Sequence, residues 1–447
     1  MAELTENREG SLDAPSREPL DWKNPEFYDQ ENLNRELERV FDICHGCRRC
    51  VNLCNAFPTL FDLVDESETM EVDGVDKVDY GKVVDQCYLC DLCFMTKCPY
   101  VPPHPWNVDF PHLMLRAKAV KHRNGGTTIR DRVLSEQDAV GSIAGMPVIN
   151  EAFNAVSSSA VGRLFLEKTL GIHRDAHFPY YHRDTLRKRF SGKEGKSFMP
   201  EPTSGTRGKV AVFVTCYGNR NEPELVEDMV AVLEHNGIDV TLTGTERCCG
   251  MPKLEIGDLE SVAAAKEVNI PELKRLIDDG YDIVAPIPSC VLMFKQEIPL
   301  MFPEDEDVQM VRKNIFDPFE YLALRHKEGR LKLDFENSLG EIAYHASCHQ
   351  RVQNIGPKTR DILSLVPGTS IQMIDRCSGH DGTYGVRQET HEISRKICRP
   401  IINKIKRSDV DYVASDCPLA AHHIAEGLEE DRKSVSPFRL LRLAYGI

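Results

Sequence analysis

The sequence predicts a mixed α+β and α/β chain, with a helical domain around two cysteine runs followed by two tandem α/β repeats. Three observations predict it. Eight of the sixteen cysteines fall into two tight runs, Cys44-x2-Cys47-x2-Cys50-x3-Cys54 and Cys87-x2-Cys90-x2-Cys93-x4-Cys98-Pro99. Apolar residues at helical spacing flank both runs. From Gly208 onward, a strand–helix pattern with three cysteine positions occurs twice.

Residues 1 to 30 are polar and carry Pro15, Pro19 and Pro25, so they read as a disordered tail. A helix follows, because Leu33, Leu37, Val40 and Phe41 keep one apolar face up to Cys44. The acidic stretch from Phe61 to Lys82 reads as a loop or small hairpin turning at Asp73-Gly74. After Cys98 the proline-rich segment should be extended, until a second helix near Pro111 presents Leu113, Met114, Ala117 and Val120. Residues 31–130 thus form the cysteine-run domain and 131–207 a helical connector, its linker running from Phe190 to Gly208.

The first repeat (208–335) and second (336–447) share one plan. GKVAVFVTCYGN at Gly208 returns as GEIAYHASCHQ at Gly340, each an apolar strand ending in a cysteine, Cys216 or Cys348. A helix leads to a second strand ending in Cys248-Cys249-Gly250 or Cys377-Ser378-Gly379. A further helix and strand lead to Cys290 or Cys417. Offsets between paired cysteines are 132, 129 and 127, so only loop lengths slip. Strands alternating with helices imply largely parallel sheets, whose strand carboxyl ends gather on one side. All six cysteine positions lie at such ends.

Three thiolates at every third residue can wrap one corner of an inorganic cage, while a fourth reaches a neighbouring cage. This is the ligand pattern of two-cluster ferredoxins. It assigns Cys44, Cys47, Cys50 and Cys98 to one [4Fe–4S] cluster and Cys87, Cys90, Cys93 and Cys54 to a second. Two departures stand out: Asn55 rather than proline follows Cys54, and the Cys93–Cys98 gap is one residue longer than usual. Structural zinc also accepts four thiolates, but zinc modules present cysteines in pairs rather than triples. The runs therefore point to electron transfer.

A net charge of −15 argues against nucleic acid and against a polybasic grip on anionic lipid. The sequence has no apolar stretch of membrane-spanning length and no basic, apolar leader at its start. Cysteines grouped by metal spacing fit a reducing cytoplasm. Peripheral attachment to the inner face of the membrane through a partner is compatible with all of this. Neither GxGxxG nor a P-loop is present, so electrons must arrive from elsewhere.

The motifs ERCCGMPKLEIGD and SGHDGTYGVRQE, with the two cysteine runs, resemble the heterodisulfide-reductase-related Cys-Cys-Gly iron–sulfur proteins, over roughly residues 40 to 440. Among these the resemblance is greatest to the family of iron–sulfur components of anaerobic glycerol-3-phosphate dehydrogenase. It implies an electron-transfer component of an oxidoreductase, fed by a flavoprotein dehydrogenase and delivering towards a quinone or another acceptor. One branch instead reduces disulfides or persulfides at noncubane clusters, and a looser association is with rubrerythrin-like diiron proteins.

A full noncubane site uses five cysteines. The first repeat has Cys216, Cys248, Cys249 and Cys290, with Met293 at the fifth place. The second keeps Cys348, Cys377 and Cys417, with Ser378 and Ala420 in the other places. Four thiolates suffice for a cubane cluster in the first repeat, whereas three leave the second labile or empty unless His345, His349 or His380 completes it. A histidine beside a strand end is more often a hydrogen-bonding group. Cys398 matches no family position and reads as a small buried apolar residue. Gly250 and Gly379 are expected to adopt positive φ and turn bare amides towards sulfur, with Gly382 and Gly385 in the same loop. Lys118, Lys121, His122 and Arg123 form a basic patch, usually a solvated face.

Overall fold

The computed structural model describes residues 14–96, 98–146, 148–192, 196–380, 382–428 and 434–447. The chain divides into two compact units. The first holds the residues up to Thr128 with Lys253–Glu260 and Leu300–Pro303; the second holds the rest.

The first unit is helical among its described residues. Helix Gln30–Cys47 starts at Asp29, whose carboxylate accepts the Asn32 N–H at 2.7 Å, and buries Leu33, Leu37, Val40 and Phe41 as its periodicity requires. Helix Phe110–Arg123 is capped by Asp109 and buries Leu113, Met114, Ala117 and Val120. The acidic stretch is not a hairpin. Helix Ala56–Asp65 runs into it, burying Phe57, Leu60, Phe61 and Val64, and short 3-10 turns lead to helix Tyr80–Gln86. Phe57 meets Phe110 with ring centroids 4.7 Å apart, and Phe41 meets Tyr80 at 5.1 Å.

The expected tail also differs, although residues 1–13 lie outside the described structure. Leu20 and Trp22 are buried, and the Trp22 indole donates to the Met301 carbonyl at 3.0 Å. Arg17 reaches Asp91 at 2.5 Å and Asp109 at 2.7 Å, and its guanidinium lies 4.5 Å from the Phe94 ring centroid. Burial opposes the charge of Asp109, but Arg17 and His112 override it and hold its pKa at about 2. Composition marked this segment as polar. Its few apolar and cationic groups nonetheless have buried partners.

The second unit contains two four-stranded parallel sheets. Strands β1 (Lys209–Val212), β2 (Asp239–Leu242), β3 (Asp282–Val284) and β4 (Ile315–Phe316) lie in the order β2-β1-β3-β4. Strands β5 (Gly340–His345), β6 (Thr369–Ile374), β7 (Tyr412–Ser415) and β8 (Ser434–Val435) repeat it as β6-β5-β7-β8. In each sheet the order reverses beside the first strand, which creates a crevice at its carboxyl end.

One apolar core serves both repeats, joining Val210, Val212, Val226 and Leu233 to Ile342, Tyr344, Ile362 and Leu441. The closing helices are exchanged. Pro437–Tyr445, which ends the second repeat, packs on Pro223–His235 of the first; Pro318–Lys327, which ends the first, packs on Lys358–Leu363 of the second. Phe319 and Phe438, each the second residue of its helix, meet with centroids 4.6 Å apart. The two repeats are thus related by a local two-fold axis near this ring pair.

Both tryptophans, Trp22 and Trp106, belong to the first unit, so their fluorescence reports its unfolding. Arg17→Ala removes the cation shared by buried Asp91 and half-buried Asp109 and should cost that unit ~3 kcal/mol in urea titrations read by tryptophan emission. An unchanged midpoint would show that the N-terminal anchor carries no stability.

Candidate metal centres

In the first unit, left-handed backbone at Arg48 (φ 50°), Leu89 (φ 54°) and Asp91 (φ 60°) bends the chain between successive cysteines. Non-glycine residues in this region are uncommon and persist only where surroundings enforce them. Arg48 caps helix Gln30–Cys47, and Asp91 is fixed by Arg17.

Cys44, Cys47, Cys50 and Cys98 wall one cavity, together with Phe57, Phe61 and Val108. Burial pushes the Cys44 thiol well up, and the neighbouring Cys98, Cys50 and Cys47 push it further. Cys93 is raised likewise by burial and then by Cys87, Cys54 and Cys50. Cys98 therefore lies with the first run's triple, and Cys54 lies within electrostatic reach of Cys93 in the second run. Cys90 stands half-buried between Leu89 and Asp91. The basic patch is engaged within the unit: Lys118 donates to the Cys87 carbonyl, Lys121 pairs with Asp85 at 2.7 Å, His122 lies 3.7 Å from Asp258, and Arg123 covers the Tyr28 ring at 4.2 Å.

In the first repeat, Cys216 follows β1, Cys248 and Cys249 follow β2, and Cys290 follows β3. The parallel sheet brings these ends together. Cys216 Sγ lies 3.8 Å from Cys248 Sγ, and Cys249 interacts with both Cys248 and Cys290. The Cys216 thiol is raised by its bond to Cys248 and then by burial; Cys249 is raised by Cys248 and Cys290 and then by burial. Such a set resists ionisation on its own. It fits a strongly cationic iron–sulfur group, whose binding drives thiols to thiolates.

Three supports here escaped sequence reasoning. Thr215 sits at φ 70° and caps the turn after β1, its hydroxyl accepting the Gly218 N–H at 2.9 Å. Asp138, from the connector, accepts the Cys248 N–H at 3.0 Å. The Asn269 side-chain oxygen accepts the Arg247 N–H at 2.8 Å. None of these pairings leaves a local sequence signal beyond a polar residue. Met293, at the place of the fifth cysteine, is wholly buried and opens a π-helical turn, Met293–Glu297.

In the second repeat, Cys348, Cys377 and Cys417 take the equivalent strand ends, and Ser378 and Ala420 are buried beside them. Gly250 (φ 99°) and Gly379 (φ 76°) adopt the left-handed backbone, and the Gly379 N–H donates to Cys377 Sγ at 3.2 Å. Gly382 is also left-handed, whereas Gly385 is not. His345 is a structural group, bonded to Ser415 Oγ at 3.0 Å and to the Arg376 carbonyl at 2.9 Å. His380 packs edge-on against His423. Cys398 is fully buried among Ala343, Ile401, Ile405 and Val413, and burial pushes its thiol to about 12.

The pattern of the CCG cysteine-rich domain family matches residues 210–295 and 342–424. The two repeats are CCG domains. Beyond them, the chain is 26% identical over 317 residues to one of the subunits of anaerobic glycerol-3-phosphate dehydrogenase of Escherichia coli K12, covering 70% of this chain and 76% of the relative. One of the subunits of the fumarate reductase (CoM/CoB) of Methanothermobacter marburgensis is 26% identical over 56% of this chain and 49% of its own length. An uncharacterized iron–sulfur protein of Methanococcus maripaludis is 25% identical over 59% of this chain and 51% of its own. The relatives thus include subunits of a dehydrogenase and of a reductase. Among the described residues, no helix is long and apolar enough to cross a membrane.

Buried imidazoles make the second unit lose stability in acid. Burial holds His177 and His345 near pKa 4, His380 near 3 and His423 near 2. These folded values lie below the ordinary 6.5, so between pH 6.5 and 4 the unfolded chain binds the extra protons and stability falls with pH. Burial also raises carboxyls of the same unit, Asp317 to about 6 and Asp416 to about 7, with Asp138, Asp228, Glu246, Asp282 and Glu426 raised as well, and these work in the opposite sense. The imidazole contribution is therefore read by difference: from pH 7 to pH 5 the melting temperature of His423→Gln should fall less, or rise more, than that of the unsubstituted protein, and identical profiles would contradict the assignment of neutral imidazoles.

Proposed function

We propose that the chain is an iron–sulfur electron-transfer subunit that carries electrons from a flavoprotein dehydrogenase partner towards a quinone or another acceptor. The observation that carries this reading is the crossed grouping of the cysteine runs, in which Cys98 lies with Cys44, Cys47 and Cys50. Two [4Fe–4S] clusters would be held by Cys44, Cys47, Cys50 and Cys98, and by Cys87, Cys90, Cys93 and Cys54. A further cluster would be held by Cys216, Cys248, Cys249 and Cys290. Bound there, such groups supply reversible one-electron storage.

The protein's part is to hold and tune. Cys87, Cys93, Cys248, Cys249 and Cys290 are buried, which removes water from the sulfurs and stabilises the less charged redox state. No acid–base residue is required for transfer itself. The resemblance to components of a dehydrogenase and of a reductase supports a role within a larger complex, and association with the cytoplasmic face of a membrane would come through that partner. Copurification from native cells with identification of the associated flavoprotein tests the partner directly.

Ligation is tested by iron counting and low-temperature EPR after anaerobic reconstitution. The runs should bind about eight iron atoms, on the usual four per cluster. Cys98→Ser should remove the signal lost in Cys44→Ser, and Cys54→Ser the signal lost in Cys93→Ser. Pairing of Cys54 with Cys44 instead would refute the crossed assignment, and uptake of about two zinc ions without iron would refute the clusters.

The two CCG domains should behave unequally. Serine is a harder and much less acidic donor than cysteine, and alanine supplies no ligand, so Ser378 and Ala420 leave the second domain labile or empty. Cys249→Ser is expected to abolish one cluster signal while Cys377→Ser changes none. Equal iron loss from both variants would show that the second domain binds metal as firmly as the first.

A further inference from the structure

The local two-fold axis places corresponding loops of the two CCG domains in reciprocal contact. Position 217, after Cys216, corresponds to position 349, after Cys348. Tyr217 lies within electrostatic reach of Cys417 in the second domain as well as of Cys216. In return, His349 Nδ1 lies 2.8 Å from Ser289 Oγ, next to Cys290 of the first domain. Gln353 extends this contact, donating to the Pro288 carbonyl at 3.3 Å.

At these two equivalent positions the structure leaves the same unmet need. Tyr217 Oη and His349 Nε2 are both buried and have no hydrogen-bond partner among the described residues. His349 is 5% exposed, so water does not readily satisfy it. A buried polar group without a partner forfeits its hydration with nothing in return, so two such groups at equivalent places call for an acceptor. His349 reaches into the first domain at Ser289, the residue before Cys290, whereas Tyr217 reaches towards Cys417 of the second as well as Cys216. A Ser289 hydroxyl that donates to Nδ1 leaves the ring proton of His349 on Nε2. Each group is then a donor, and the ring is oriented as second-shell contacts orient imidazoles in metal sites.

We propose that the iron–sulfur group held by Cys216, Cys248, Cys249 and Cys290 accepts a hydrogen bond from His349 of the second domain. This rests on the cluster reading of the first domain and deepens it. The cysteine-poor second domain is then a working half of the site, supplying a donor across the two-fold axis. Hydrogen bonds to sulfur disperse negative charge and favour the reduced state, so this contact raises the reduction potential.

The test uses the full chain reconstituted with iron under anaerobic conditions. His349→Leu should keep the iron content of the unsubstituted protein and shift one EPR-monitored midpoint potential downward. In deuterated buffer, pulsed ENDOR on the unsubstituted protein should show exchangeable deuterons coupled to that cluster, one set vanishing in His349→Leu. This measurement decides the matter even if a variant fails to fold. Absence of coupled exchangeable deuterons, unmoved potentials at full iron content, or a directly bonded nitrogen from His349 would each overturn the proposal. A protein whose iron count and EPR are insensitive to Cys249→Ser would fail at the earlier step, the cluster reading itself.

Discussion

Crowded sulfur is the constraint on which this architecture depends. Thiols buried against one another cannot all ionise, because each thiolate loses its hydration and repels its neighbours. The rises at Cys44, Cys93, Cys216 and Cys249 all have this origin. Without metal, the protein must hold protonated thiols close together with its own packing and hydrogen bonds. The two units meet this demand differently. The first uses left-handed turns within short loops, pinned by a helix cap and by Arg17. The second uses strand ends, which parallel sheets converge whatever the intervening sequence.

That difference decides what could be read from residues alone. The strand-end sites were legible because the signal is local and doubled: an apolar strand, then a cysteine, recurring at nearly constant offset. Helices Gln30–Cys47 and Phe110–Arg123 were legible because their apolar faces keep helical spacing. The grouping of Cys98 with the first triple followed from known spacing and needed no geometry. What stayed hidden depends on distant partners. Arg17 lies 74 and 92 positions from the carboxylates it neutralises, and Asp138 lies 110 from the amide it caps. A polar segment gives no sign that Trp22 will be buried. The helix at Ala56–Asp65 was obscured because its apolar face begins among the cysteines and ends in an acidic run.

The exchange of closing helices went unread for another reason. Asp317-Pro318-Phe319 and Ser436-Pro437-Phe438 are short, unlike outside the Pro-Phe step, and lie beyond the last cysteine of each repeat. In the fold they are equivalent caps, each accepting backbone N–H groups at the start of its helix. Their phenylalanines meet near the local axis, so the duplication extends past the cysteine motifs to the element that joins the halves.

This joining separates folding from chemistry in the second CCG domain. Its strand β5 shares the core with β1, and its last helix covers the first domain's Pro223–His235. Deleting it would expose Val226, Met229 and Leu233, and burial of each such side chain is worth about 1.5–3 kcal/mol. The domain is therefore held in place by apolar burial that does not involve sulfur. Cysteines at positions 378 and 420 could be lost without loosening that core, since Ser378 and Ala420 lie outside it. His345 shows the same independence: its ring is held by Ser415 and the Arg376 carbonyl rather than by any thiol. The second domain can lose cysteines and still present a rigid surface to the first. A site at that junction inherits its geometry from the core beneath it.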